Sequence, residues 1–240
     1  MTATRSIAIA IALTLLASGG AWAQACGGLA NHYGPFDYRT ERNGKLQIVE
    51  HYHFDAGVEA LIKGESTYIG GDLDYVLMTS PNHHRALLAM VRLSERMKSD
   101  PPPNMKYSVD CYFDRAIRFQ PDDTVVREMY AKFLTDKGRV DDAHKELQAT
   151  ERYASDNALS HYNIGLLYFG LKDYDNALLQ AQTAAQLGYA RPELKQLLQG
   201  VGRWKEPPAP AASAPAMAAS VAANAASVPV VAASAASSSP

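Results

Sequence analysis

The stretch from Ala158 to Ala185, ALSHYNIGLLYFGLKDYDNALLQAQTAA, decides the fold. Ile164, Leu167, Tyr168 and Leu171 recur at three- and four-residue steps, forming one apolar stripe on a helix, and Gly165 is small enough to admit a neighbouring helix. The pattern breaks at Lys172 and Asp173. It resumes as Tyr174, Ala177, Leu178, Ala181, Ala184 and Ala185, a stripe of mostly small residues that lets a second helix lie close to the first. The stretch reads as a helical hairpin, and the fold class as all-α.

A shift of 34 residues upstream superimposes a second copy. Tyr130-Ala131 falls on Ile164-Gly165, Leu134 on Tyr168, Val140 on Tyr174, Asp141 on Asp175, Ala143 on Ala177, Leu147 on Ala181 and Thr150 on Ala184. A period of about 34 residues is that of the tetratricopeptide repeat (TPR). One further step back, Val109, Phe113 and Ala116 occupy second-helix positions and Pro121 the terminating position. Repeats are therefore expected at 124–157 and 158–191, with an irregular one near 82–121. Its first helix, NHHRALLAMVRLSERMK, would set Leu88-Ala89 where Tyr130-Ala131 stand, and SDPPPN, too rich in proline to be helical, is an insertion between its helices. Leu73, Val76 and Pro81 keep the spacing of Phe113, Ala116 and Pro121, so 65–123 reads as degenerate TPR-like helices. Pro192 at a first helical position, followed by Leu194, Leu197 and Leu198, predicts a capping helix within 192–204 that ends near Gly200, with Trp204 closing it. The expected architecture is a short TPR-like α-solenoid of about three helical hairpins.

The flanks differ in composition. Residues 1–23 carry Arg5, the apolar run IAIAIALTLLA and Ala21-Trp22-Ala23, the layout of a signal peptide, with a second cleavage site at Ala25. An alternative is a lipoprotein signal with Cys26 acylated, although Ala23 and Gln24 fit such a signal poorly. The expected location is periplasmic or secreted, or lipid-anchored through Cys26. Cys26 and Cys111 are the only cysteines, and a single pair in an exported chain predicts one disulfide between the N-terminal segment and the repeats. Residues 205–240 are mostly Ala, Ser, Pro and Val with no charge after Glu206, which predicts a disordered tail. A net charge of -2 over 240 residues gives no electrostatic footprint for nucleic acid, and membrane contact is expected only if Cys26 is lipidated.

Residues 24–64 do not follow the repeat. Gly34-Pro35 and Asn43-Gly44 mark turns, KLQIVEHYHF alternates enough to predict a short strand or extended segment, and DAGVEALIKG predicts a short helix capped by Asp55 and stopped at Gly64. This segment is expected to wrap the N-terminal end of the solenoid as a small irregular cap.

Candidate chemistry is sparse. His51, His53, His83 and His84 suggest a metal site as an alternative reading. Adjacent histidines on a helix point about 100° apart, and no HExxH or paired Cys/His spacing occurs, so neither metal nor cofactor is expected. Asp72 and Asp74 in GGDLDY resemble a metal-binding DxD pair, but a helix start explains them through capping and the helix dipole. Asp114, Arg115, Asp122 and Asp123 read as solvated or capping charges, and there is no GxSxG, no P-loop and no Cys/His nucleophile pair. The chain is not expected to be an enzyme; the runner-up is a metal-binding protein or enzyme using the His-bearing N-terminal region.

The motifs GPFDYR (34–39), GDLDY (71–75) and PNHHRAL (81–87), with CYFDRAI and YNIGLLY, resemble a group of exported bacterial tetratricopeptide proteins over roughly Cys26 to Trp204. The resemblance implies a concave groove, lined mostly by the first helix of each repeat, that holds a segment of a partner protein. Its groove positions fall on Leu159, Tyr162, Asn163, Leu166 and Phe169 in the last repeat and on Val125, Glu128, Met129, Lys132 and Thr135 in the preceding one. The subclass that clamps a partner's C-terminal carboxylate needs several Lys, Arg and Asn here, and only Lys132 and Asn163 qualify. The expected partner-binding set is Glu128, Lys132, Tyr162, Asn163, Leu166 and Phe169, with Tyr162 and Phe169 either facing the groove or packing against the C-terminal helix. The expected function is an exported adaptor that binds a protein or peptide.

Overall fold

The computed structural model describes residues 26–206, so the expected signal peptide and all but the first two residues of the expected tail lie outside the described part. Among the described residues the chain is all-helical: α1 Lys45–His53, α2 Ala56–Glu59, α3 Ile69–Thr79, α4 His84–Met97, α5 Val109–Phe119, α6 Thr124–Asp136, α7 Val140–Ala154, α8 Ala158–Gly170, α9 Tyr174–Gln186 and α10 Pro192–Gly200. The first residues of α6, α8 and α10 are spaced by 34, as are those of α7 and α9. Local chemistry fixes the starts. Asp123 accepts from the Val126 amide, Asn157 from Leu159 and Ser160, and Asp173 from Asn176, caps worth about 1 kcal/mol each.

From α6 to α10 each helix packs on the next, and α4, α6, α8 and α10 also touch one another in a row. The α8–α9 pair is close because its facing residues are small: Ala177, Ala181 and Ala184 are buried, and a Cβ on Gly165 would lie 2.6 Å from Leu194 Cδ2 and 3.3 Å from Gln180 Cβ. Two apolar clusters result. One joins Tyr38, Leu46, Val49, Phe54 and Val58 to Leu73, Val76, Leu87, Met90 and Phe113; the other holds Leu147, Ile164, Tyr168, Leu194 and Leu198 with five alanines. Helix α6 contributes Phe133 to the first and Ala131 to the second.

The N-terminal segment corrects the strand expected at KLQIVEHYHF, which is helix α1. Leu46 and Val49, three residues apart, are buried on one face while Ile48 and Tyr52 stay exposed, and with no partner strand only a helix satisfies the backbone internally. The helix expected up to Gly64 ends at Glu59, and the chain turns at Leu61 with φ of 58°. Asp55 caps it as expected, accepting from the Val58 amide at 2.8 Å.

The insertion between α4 and α5 folds back over α3. Its Pro103 carbonyl sits where a Cβ on Gly70 would be, 1.8 Å away, so the GGDLDY glycine is required by that approach. Asp100, from the same loop, accepts from the Val109 amide at the start of α5 at 2.8 Å.

A disulfide joins Cys26 to Cys111 in α5 across 85 residues. Arg115 does not fit the expectation of a solvated or capping charge. It is fully buried, and its Nη1 donates to the carbonyls of Cys26 at 3.1 Å and Gly28 at 2.6 Å, while Arg118 reaches the Gly27 carbonyl at 3.0 Å. The expected disulfide placed Cys26 on α5, but nothing in the sequence showed that the carbonyls of residues 26–28 would cover this side chain. Among the described residues no helix is long and apolar enough to cross a membrane.

Candidate functional site: a groove along the first helices

The row formed by α4, α6 and α8 borders an open groove of about 460 Å³. Leu88, Val91, Arg92 and Glu95 come from α4, Glu128, Met129, Lys132, Phe133 and Asp136 from α6, Asn163, Leu166 and Leu167 from α8, and Phe113 from α5. Helices α6 and α8 present the same face because Asp123 and Asn157 start them in the same register.

Of the six residues expected to bind a partner, Glu128, Lys132, Asn163 and Leu166 line this groove. Tyr162 and Phe169 do not. Tyr162 is buried, donates to Glu193 at 3.2 Å and stands edge-on to Tyr189, while Phe169 borders a separate cavity of about 490 Å³ with Glu193, Gln196, Leu197, Gly200 and Val201 of the α10 region. Tyr162 thus packs against the C-terminal helix, whereas Phe169 stands beside Tyr174 of α9, ring centroids 5.3 Å apart, and faces that separate cavity. Val125 and Leu159, also at groove positions by the family pattern, are exposed outside it.

The α4 wall is the part that sequence reasoning missed. Leu88-Ala89 does not stand where Tyr130-Ala131 do. In the structure His83 and Asp123 are the equivalent N-caps, 40 residues apart, which brings Leu88 level with Glu128 and Arg92 level with Lys132. The signal lay in the capping residues before each helix.

The groove's electrostatics are uneven. Lys132 is exposed and pairs with Asp136 at 2.6 Å, one turn along α6. Glu128 is 8% exposed; its Oε2 accepts from Asn163 Nδ2 at 3.0 Å, and its Oε1 is buried with no hydrogen-bond partner. Burial pushes its carboxyl up to about 7, with Asn163 and Ser160 pulling the other way and Asp123 adding to the rise.

The motifs of the N-terminal half meet elsewhere, as staples between segments. Asn82 Nδ2 donates to Asp37 at 2.7 Å and to Asp123 at 2.9 Å, its Oδ1 accepts from the Tyr38 amide at 3.0 Å, and Arg39 bonds Asp37 and Asp122. Asp72 is fully buried within the first turn of α3, but its Oδ2 gathers the amides of Glu65, Ser66 and Thr67 from the approaching loop at 2.7 to 3.3 Å instead of capping its own helix. Asp74 accepts from the Tyr112 hydroxyl and from the Lys106 amide.

The four candidate histidines are dispersed among carboxylates. His83 Nδ1 accepts from the Ala86 amide, which leaves the proton on Nε2 to donate to Glu50 at 2.9 Å, and burial holds this imidazole below its ordinary range, in the neutral form. His84 bonds Asp123 at 2.9 Å, His53 Nδ1 bonds Asp72 at 2.9 Å, and His51 is exposed beside Tyr52. Among the described residues no three His, Cys, Asp or Glu side chains are grouped to hold a metal ion. One of these pairs borders a cavity. His53 lies with His32, Tyr33, Tyr52, Ser66 and Tyr75 around about 490 Å³, its ring stacked on Tyr75 with centroids 4.0 Å apart.

No family model, curated protein or solved structure matches this chain.

Proposed function

We propose that the protein is an exported adaptor of the tetratricopeptide type whose groove binds an extended or helical segment of a partner protein in the cell envelope. The observation that carries this reading is the continuous wall of α4, α6 and α8 around an apolar groove, open to solvent and recurring with a 34-residue step between α6 and α8. Leu88, Met129 and Leu166 offer apolar contact, and Asn163 and Arg92 offer hydrogen bonds to a backbone. The disulfide fits an oxidising compartment, periplasmic or extracellular, and engages the Cys26 sulfur that a lipid thioether would need. With that sulfur taken, the soluble form is the one we favour.

Peptide display tests the reading. Peptides selected on the wild-type protein are expected to lose binding at least tenfold on a Leu166→Asp variant that keeps its helical spectrum; peptides that bind both proteins equally would place the binding surface elsewhere.

A second reading, imidazole chemistry in the N-terminal region, is favoured by one observation. Asp72 fixes His53 through Nδ1, and the His53 ring lines the cavity shared with His32 and the tyrosines. Zinc added to the untagged protein is expected to broaden the His53 and His32 resonances below one equivalent if this site binds metal, and unchanged resonances at ten equivalents dispose of the metal version.

A further inference from the structure

We propose that the groove selects a cationic group on an apolar shaft, a lysine or arginine side chain of the bound segment, whose charge is taken by Glu128. The inference rests on the reading of the groove as a binding surface and adds the chemistry of what enters it.

Glu128 lines the groove with one carboxylate oxygen occupied by Asn163 and the other buried without a partner. A buried oxygen with no donor is unfavourable until one arrives, and an ionised acceptor gains most from a charged donor. The resident cations are committed elsewhere. Lys132 holds Asp136, Arg127 holds Glu146 and the Pro121 carbonyl, and His84 holds Asp123. Helix α8 faces Glu128 with Asn163 and Ser160, and its own histidine, His161, bonds Gln180 and the Ser155 carbonyl. On the α4 wall Arg92 and Glu95 are exposed at the rim, and neither figures among the groups that shift Glu128. Among the described residues the charge that shifts it is Asp123, which is negative. An anionic guest would therefore meet repulsion at the groove wall, whereas Leu88, Met129 and Leu166 can enclose a hydrocarbon shaft.

Binding releases a proton. The carboxylic acid of Glu128 gives its proton to solvent as the ammonium group arrives, and a carboxylate–ammonium pair remains. Since the carboxyl titrates at about 7, association weakens about tenfold for each pH unit below that value and levels off above it.

The probes are 4-phenylbutylammonium and its neutral analogue 4-phenylbutanol, titrated into the full chain while amide resonances of α4, α6 and α8 are followed. The ammonium is expected to shift groove amides with an apparent Kd that falls about tenfold between pH 6 and pH 8. In Glu128→Gln, which keeps the bond from Asn163, that pH dependence should vanish and the affinity at pH 8 should drop to that of the alcohol. Independently of any variant, the midpoint of the Glu128 side-chain carbon resonance should move down when the ammonium is present. Equal binding of both probes, or an unchanged pH profile in Glu128→Gln, overturns the cation proposal and leaves the groove standing. Failure of both probes to shift any groove amide overturns the cation proposal and the groove reading together.

Discussion

Asn82 joins three segments through one amide. It is fully buried, and it bonds Asp37 and Tyr38 of the cap and Asp123 at the start of α6. Replacement by alanine removes a donor from two buried carboxylates, which keep Arg39 and His84, and leaves the Tyr38 amide without its acceptor, so Asn82→Ala should lower the unfolding free energy by about 2 kcal/mol, read from urea melts. Asp37 in the same cluster is pushed up by burial but held at about 2 by Arg39 and Asn82. Its folded value lies below its unfolded one, so its contribution is present above about pH 4 and is lost as the pH falls toward 2. Glu128 has the opposite sign. With its folded carboxyl at about 7, the unfolded chain ionises first, so the residue costs nothing below about pH 4 and destabilises increasingly up to pH 7. Glu128→Gln should therefore stabilise by about 3 kcal/mol at pH 8 and by almost nothing at pH 4; equal urea midpoints for the two proteins at pH 8 would contradict the burial argument. The sequence placed Glu128 on the groove through the repeat register. It could not show the burial, which depends on Asn163, 35 residues away, closing over the carboxyl.

At the level of helices, what was legible followed from periodicity. The boundaries of α6 to α10 were readable because caps and apolar stripes recur at 34 residues and because Pro192 starts the last helix. Helix α1 was misread because a nine-residue segment gives alternating and helical patterns almost the same apolar positions, and the choice between them is made by α3, on which α1 packs. The α4 wall was out of register because the insertion after it breaks the period. Gly165 shows how little a helix-packing signal needs to contain. Its missing side chain admits Leu194 of α10, so Gly165→Leu should force that helix away, costing about 2 to 3 kcal/mol and removing amide protection across 192–200 in hydrogen exchange.

Over the whole molecule, stapling is unequal. The N-terminal cluster is held by the disulfide, whose 85-residue separation is worth about 4 kcal/mol on a chain-entropy account, and by the Asn82 and Asp72 contacts. The C-terminal cluster relies on alanine-rich packing of α8 on α9 and on a nine-residue last helix. Amides of α8 to α10 should accordingly exchange faster than those of α3 to α5 in the oxidised protein, and reduction of the Cys26–Cys111 bond should narrow the gap from the slow side. Uniform exchange throughout would mean that the two clusters open as one. The even step between α6, α8 and α10 has a further consequence. A copy of residues 124–157 spliced after Asn157 would again put a first helix after α7 and would meet Ala158 at the junction the chain already makes, lengthening the wall by one helix diameter, about 10 Å. The molecule is in that sense a ruler: copy number sets its reach, and the stapled N-terminal end stays the fixed zero from which that reach is measured.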